Sequence, residues 1–300
     1  MDTNTLQAFL AVADTGSFSL AAEQLFVTQP AVSKRVAALE DELATRLFER
    51  LGRRVLLTEA GQTLLPKARH ILLEMAESRR LIANLSTDVS GSLQLAISHH
   101  VGLHRLPNIL REYGLRYPKV EFDLHFMNSE TGCEAVAAGD IELAVVTVPE
   151  TPFDKLIVDT IWDDPLMFMV SRNHPLVDTT KGIRKFEEYP AILPERGTVT
   201  RRMIEKVLEP FELSWKIGVE TNYLETIRML VSVGLGWSVL PLSMLSDELV
   251  CIEIQGVKFL RKLGMVTHRN RSLSTAARAF QEMLLSDSEG LRAEGLRTED

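Results

Sequence analysis

Three hundred residues, 45% of them hydrophobic and 25% charged, are enough chain for two or three domains with their own cores, in proportions typical of soluble globular proteins. No charged-then-apolar leader opens the chain and no run of about 18 apolar residues occurs, so neither secretion nor membrane spanning is expected and the cytoplasm is the expected location. The net charge of −8 argues against indiscriminate coating of nucleic acid, yet residues 28–58 carry six basic and four acidic side chains, so positive charge is concentrated locally.

The first predicted helix carries Leu6, Phe9, Leu10 and Ala13 on one apolar stripe and stops at Gly16. Ser17 or Ser19 then caps a short helix, SLAAEQLF, whose Ala21 and Ala22 permit a tight crossing. The segment FVTQPAVSKRVAALEDEL follows. Its Val32, Val36, Leu39 and Leu43 recur at steps of four, three and four, the spacing of one buried helix face. Thr28 is placed to cap this helix, and Pro30 falls in its first turn, where a missing N–H does no harm. Pro30, Ala31, Lys34, Ala37 and Ala38 point away from the core, with Gln29 at the exposed start. Taken alone, this is an ordinary amphipathic helix with a solvated outer face. Beside its neighbours it is the second member of a helix-turn-helix, which lies in the DNA major groove. Small residues let the helix approach, Gln29 can donate and accept at a base edge, and Lys34 with Arg35 can neutralise phosphate. LFERLGRRVLLT reads as two short strands around Gly52 with Arg50, Arg53 and Arg54 at the tip, a basic wing for the neighbouring backbone or minor groove.

Thr58 then caps a long helix on which Leu64, Ala68, Ile71, Met75, Ser78, Ile82 and Leu85 follow at alternating steps of four and three. Pro66 can bend its early part. The stripe either packs onto its own domain or meets a two-fold partner. A reader of paired DNA half-sites needs a dimer, so Leu64, Ala68, Ile71, Met75, Ile82 and Leu85 are assigned to dimerisation. Residues 86–92, STDVSGS, are polar and contain glycine, as a hinge would. Beyond them the texture changes. SLQLAIS, VEFDLHF and IELAVVTV are predicted strands separated by the helices LHRLPNILREYGLRYP and SETGCEAVAAGD. The series resumes with the strand PLMFMVSRNHPL, a helix from Thr198 to Leu208, the strand WKIGVET, a helix from Tyr223 to Val233 and the strand WSVLP. It ends with the strand KLGMVTH and the closing helix SLSTAARAFQEMLL, and the last ten residues are expected to fray. Strands alternating with helices imply βαβ units and a parallel sheet in two α/β lobes.

Cys133 and Cys251 show no CxxC spacing, which leaves neither a disulfide framework nor a structural zinc site; each is expected as a small buried side chain. His99, His100 and His104 invite a metal reading, but no neighbouring Cys, Asp or Glu completes a tetrahedral set, so no metal is expected. GLGWSV, residues 234–239, follows a helix rather than a strand and reads as a helix C-terminal turn, not a dinucleotide loop. No GxSxG, Walker loop or HExxH marks an enzyme.

From Leu6 to Gly61 the sequence resembles the N-terminal domain of the LysR-type transcriptional regulators almost position for position. LPNILREYGLRYP, AAGDIELAVV, SRNHPL and GLGWSVLP follow in that family's order. The resemblance implies an α+β and α/β chain: a winged helix-turn-helix over 1–58, a linker or dimerisation helix and hinge over 59–90, then two Rossmann-like lobes of the periplasmic-binding-protein type. Lobe 1 would comprise 91–164 and 268–300 and lobe 2 residues 165–267, with crossings near Asp164 and near Thr267. It also implies a sequence-specific transcriptional regulator, not an enzyme, with no cofactor. DNA contacts would fall on Gln29, Pro30, Ala31, Ser33, Lys34 and Arg35 and on the wing residues Arg50, Arg53 and Arg54. Lys34 stands where the family often has Arg, which puts a bidentate guanine contact there in doubt. The implied partners are a double-stranded operator of two-fold symmetry, a small-molecule effector, a second copy or three in a homodimer or homotetramer, and RNA polymerase.

Ligands of such folds bind outside the carboxyl ends of the strands, in the crevice between lobes. Those ends are Ser98, His99 and His100, then Asn128 and Ser129, then Thr147, with Thr198 and Tyr223 from the second lobe. Hydroxyls and helix-start N–H groups facing one cleft would receive a small organic acid or amino acid. Histidine hydrogen bonds would make its affinity pH-dependent. A redox- or metal-responsive regulator of the same fold, and an enzyme on the two lobes, stay open as alternatives.

Overall fold

The computed structural model describes residues 1–51, 54–83, 88–150, 154–177 and 182–295. They form two compact units, Met1–Leu85 and Ser86–Asp300. No helix among the described residues is long and apolar enough to cross a membrane.

In the first unit, α1 (Thr3–Thr15) starts from a capping box in which Asp2 and Thr5 satisfy each other's backbone N–H groups, and it ends at Gly16 in the left-handed region, φ +63°. Ser17, not Ser19, caps α2 (Phe18–Gln24). Thr28 holds the cap position of α3 (Gln29–Glu42), but its hydroxyl makes no capping bond. Val32, Val36 and Leu39 are buried as their spacing predicts, whereas Leu43 lies just past the helix end and is 36% exposed. The wing consists of β1 (Phe48–Leu51) paired antiparallel with β2 (Arg54–Leu57). Glu40 ties α3 to the wing: buried beneath it, its carboxylate accepts from the N–H groups of Leu47 and Phe48 and pairs with Arg46.

Thr58 begins α4 (Glu59–Ala83) by accepting from Gly61 N–H at 3.1 Å while donating to the Arg46 carbonyl at 2.7 Å. Replacing Thr58 by alanine is expected to cost about 1 kcal/mol, read as a lowered unfolding midpoint of the far-ultraviolet helix signal. The long-helix stripe needs correction. Ala68 is fully enclosed in a cluster with Leu6, Phe9, Leu39 and Leu47, and Leu64 and Ile71 pack half-buried against the same cluster. The first turns of α4 therefore serve their own domain, leaving Met75, Leu81 and Ile82 exposed along its second half. Leu85 lies outside the described residues.

In the second unit, β3 (Gly91–Ser98), β4 (Val120–Met127) and β5 (Leu143–Thr147) are parallel, with β3 central. Between β3 and β4 the predicted single helix is two, α5 (His99–His104) and α6 (Pro107–Arg116), because Pro107 has no N–H to continue the helical ladder and instead takes the first position of α6. Between β4 and β5 runs α7 (Ser129–Ala138), ended by Gly139 at φ +83°.

The parallel expectation fails next. The long strand β6 (Leu156–Ser171) is antiparallel to all its partners: β9 (Ser238–Pro241), β10 (Leu249–Ile252) and β11 (Phe259–His268). The second lobe adds β7 (Ala191–Leu193), parallel to β8 (Ile217–Glu220), with α8 (Val199–Leu208) and α9 (Leu224–Ser232); α10 (Thr275–Gly295) closes the first lobe.

Strands β6 and β11 are shared between lobes. Ile161, Trp162, Leu263 and Met265 belong to the first lobe's core, and Leu166, Phe168 and Phe259 to the second's. The chain passes between lobes at Asp164 and at its cross-strand partner Arg261. Thr267 instead sits inside the first lobe, opposite Leu143 of β5. Gly234 takes φ +86° at the end of α9, and a Cβ on Gly236 would stand 2.1 Å from the Pro190 carbonyl, so GLGWSV is shaped by a turn and a close backbone approach.

Candidate functional site

Where β3, β4 and β5 end, the side chains of Ser98, Asn128, Ser129 and Thr147 face Thr198 and Asn222 of the second lobe around a cavity of about 60 Å³. That is room for a few waters or one small polar group, well below the roughly 300–1,000 Å³ of pockets for drug-sized ligands. The structure thus gathers Ser98, His99, His100, Asn128, Ser129, Thr147 and Thr198 at one cavity. Tyr223 does not line it. Its half-exposed ring packs edge-on against His99, 4.8 Å between centroids.

Several of these groups are already occupied by the fold. Asn128 caps α7 through Thr131 N–H at 2.8 Å, Ser129 Oγ accepts from Thr147 N–H at 3.0 Å, and Thr198 caps α8 through Arg201 N–H at 3.2 Å. Two are not: the Ser98 hydroxyl and both ring nitrogens of His100 have no hydrogen-bond partner, although the residues are only 8% and 5% exposed. An unmet buried polar group costs about 1–3 kcal/mol, so the pair is poised for something that enters.

Beside them lies a group that sequence reasoning did not assign. Arg261, 4% exposed, donates through Nε and Nη2 to Asp164 Oδ2 at 2.9 and 2.6 Å and through Nη1 to Thr200 Oγ1 at 3.1 Å. Arg105 reaches the other oxygen of Asp164 at 3.3 Å, and His100 Nε2 stands 3.9 Å from Asp164 Oδ2. Burial pulls the Arg261 pKa down, opposed by the charge of Asp164. Burial, then the charges of Arg261, His104 and Arg105, hold His100 down at about 2, so its imidazole is neutral. Around the cavity the guanidiniums of Arg261 and Arg105 stand against the carboxylates of Asp164 and Glu130, so these four charges balance.

Glu130 was also unforeseen. From the first lobe its carboxylate accepts the Val199 N–H at the start of α8 and lies 3.9 Å from Arg202. Lys206 with Glu150 at 2.9 Å and His104 with Glu225 at 2.8 Å also clasp the lobes. Glu225 corrects the metal expectation: no acid neighbours the histidines in sequence, but α9 brings this one to within 4.8 Å of His100 and His104.

Of the cysteines, Cys133 is fully buried with its thiol pushed up to about 12, chiefly by burial, and Cys251 is half-buried with its pKa also raised by burial. Neither is poised as a thiolate.

On the first unit, Gln29, Pro30 and Lys34 of α3 are exposed, and Ala31, Ser33 and Arg35 half-buried. Gln29 Nε2 donates to Ser33 Oγ at 2.8 Å, which holds its amide along the helix start. Phe26, in the turn before α3, is 96% exposed at φ +53°, a presentation that helical periodicity could not reveal. Arg50 and Arg54 lie in the wing strands. Arg53 and the side chains of Arg50 and Arg54 lie outside the described residues.

Residues 3–62 match the family described as bacterial regulatory helix-turn-helix protein, lysR family, and residues 86–288 the LysR substrate binding domain. Among relatives, the transcriptional activator CmpR of Synechocystis sp. is 30% identical over 291 residues, covering 95% of both chains. An uncharacterised regulator from the ibpB-leuC intergenic region of Azotobacter vinelandii is 64% identical over 107 residues, 36% of this chain and 74% of its own. Among solved structures, a full-length OxyR variant of Pseudomonas aeruginosa superposes with a TM-score of 0.66 at 22% identity, covering 96% of this chain and 94% of its own. CbnR in complex with its target DNA gives 0.62 at 22%, covering 96% and 100%.

Proposed function

Because the chain belongs to the LysR family of bacterial transcriptional regulators through both its helix-turn-helix and its substrate-binding domain, we propose that a small monoanionic metabolite, an organic acid or amino acid, is its signal and binds between the two lobes. The observation that carries this reading is the buried, unpartnered pair of Ser98 and His100 beside the Arg261 guanidinium at the cavity. A carboxylate there accepts from the Ser98 hydroxyl, from the N–H of neutral His100 and from the field of the two guanidiniums. The small cavity admits the head group, and a longer ligand must part the lobes against the three side-chain contacts that span them. An effector that binds one lobe arrangement better than the other shifts the equilibrium between them. The effector domain of QuiR, a fold neighbour with a TM-score of 0.60 at 19% identity covering 67% of this chain and 98% of its own, is described in complex with shikimate, an acid of this class.

The DNA is read by α3, with Gln29, Pro30, Ala31, Ser33, Lys34 and Arg35 at the groove and Arg50, Arg53 and Arg54 on the wing. Dimers or tetramers form through the exposed half of α4, at Met75, Leu81 and Ile82. The protein acts in the cytoplasm on a two-fold operator, and it regulates without catalysing.

Melting the full-length protein against acetate, lactate, shikimate, glycine and glutamate tests the effector reading. A raised midpoint that Ser98→Ala removes is expected, and no shift with any of these or with a wider set of carboxylates would sink it. On the DNA side, Gln29→Ala is expected to reduce discrimination between operator and random duplex about tenfold. Lys34→Ala weakens both alike and lowers the salt slope of binding by about one. Equal losses for the two variants would refute this division of roles.

A further inference from the structure

We propose that His100, His104 and Glu225 bind a divalent transition-metal ion that ties α5 of the first lobe to α9 of the second. The two histidines stand four residues apart on one helix, with ring centroids 4.7 Å apart, and Glu225 comes from the first turn of α9, so the set exists only when the lobes meet. One ligand atom from each lies within 4.8 Å of the others. Nitrogen and oxygen ligands 2.0–2.1 Å from a tetrahedral zinc are about 3.3–3.4 Å apart, so rotamer adjustments of about an ångström complete the geometry. The Glu225 carboxylate already meets His104 Nε2 at 2.8 Å.

A second observation points to a ligand. His100 is 5% exposed and neither of its ring nitrogens has a partner. A simple His104–Glu225 contact leaves that unexplained, whereas an ion takes a lone pair from the His100 ring. The donor set of two imidazoles and one carboxylate suits zinc, cobalt or nickel and does not suit calcium or magnesium. Three protein ligands leave the fourth position open. Water or a small anion would complete the coordination at that position. Bound this way, the metal holds the lobes together independently of the effector.

The test titrates Co2+ into the full-length protein after stripping with a chelator. The expected result is the visible absorption of four-coordinate cobalt, saturating at one ion per chain and bleached by Zn2+. His104→Gln and Glu225→Gln, both at partly exposed positions that the fold tolerates, each weaken binding about a hundredfold or more. His70→Gln, on the exposed face of α4, leaves it unchanged. No visible band in the wild type, the weak band of six-coordinate cobalt, or a band equally strong in the His104 and Glu225 variants overturns the proposal.

Discussion

An Asp164→Ala variant is expected to lose about 3–5 kcal/mol of stability in the unit Ser86–Asp300. Removing this carboxylate leaves Arg261 without a counter-ion in a site where its side chain is 4% exposed, and also strips Arg105 of its partner. Arg105 is partly exposed and can turn to water. Arg261 cannot, and its remaining side-chain bond, to the Thr200 hydroxyl, carries no charge. The loss is local to the place where β6 and β11 pass between lobes, so it is felt by both cores. All three tryptophans, Trp162, Trp215 and Trp237, belong to this unit, so urea unfolding followed by indole fluorescence reports it without interference from the first unit. The double variant Asp164→Leu with Arg261→Met removes both charges and is expected to recover most of the loss, since a buried pair replaced by apolar groups of similar size is often near neutral. A loss below about 1 kcal/mol in the single variant would mean that water reaches Arg261 and that the pair does not hold β6 to β11 where they pass between lobes. By contrast, breaking the exposed Lys119–Asp88 pair is expected to leave the midpoint unchanged.

The contrast between these pairs shows what a sequence reveals and what it hides. In the first unit the determinants are local: caps at Asp2, Ser17 and Thr58, a glycine stop at Gly16, and a buried stripe on α3 are all within a few residues of what they control. The stripe on α4 was legible as apolar, but periodicity cannot tell whether a face meets its own domain or a second copy, and Ala68 proved to be internal. Likewise, alternating strands and helices disclosed α/β lobes, while the antiparallel pairing of β6 with β11 depends on register between segments 97 positions apart, as the Asp164–Arg261 bond illustrates. The rule that ligands gather at strand ends located Ser98, His100, Asn128, Ser129, Thr147 and Thr198 at one cavity. It could not locate Glu130, Glu225, Asp164 or Arg261, whose partners lie across the cleft or across the sheet. One signal was available: the charged residues Asp164 and Arg261 interrupt apolar strands, WDDPLMF and FLRKLGM, where a lone charge would be costly.

The same site makes stability fall with acidification. In metal-free protein kept so by a chelator, His100 alone is expected to remove about 3 kcal/mol from the unit Ser86–Asp300 between pH 7.5 and pH 4. The ring is held down at about 2 by burial first, then by Arg261, His104 and Arg105, against an ordinary value of 6.5 in the unfolded chain. Between those two values the unfolded chain binds a proton that the folded one refuses. Stability therefore rises with pH throughout this window and is flat above it, at about 1.4 kcal/mol per pH unit. At pH 4 the chain stands about 2.5 units below 6.5, which gives the figure. The informative quantity is the difference between wild type and His100→Gln, which keeps a polar side chain and loses the titration. Urea midpoints by indole fluorescence at pH 7.5, 5.5 and 4 should show the variant losing less stability than the wild type at each acidic step, with the gap widening as pH falls. Parallel losses in the two proteins would mean that His100 is protonated in the folded state, and the neutral hydrogen-bond donor assigned to it in the effector cleft would have to be given up.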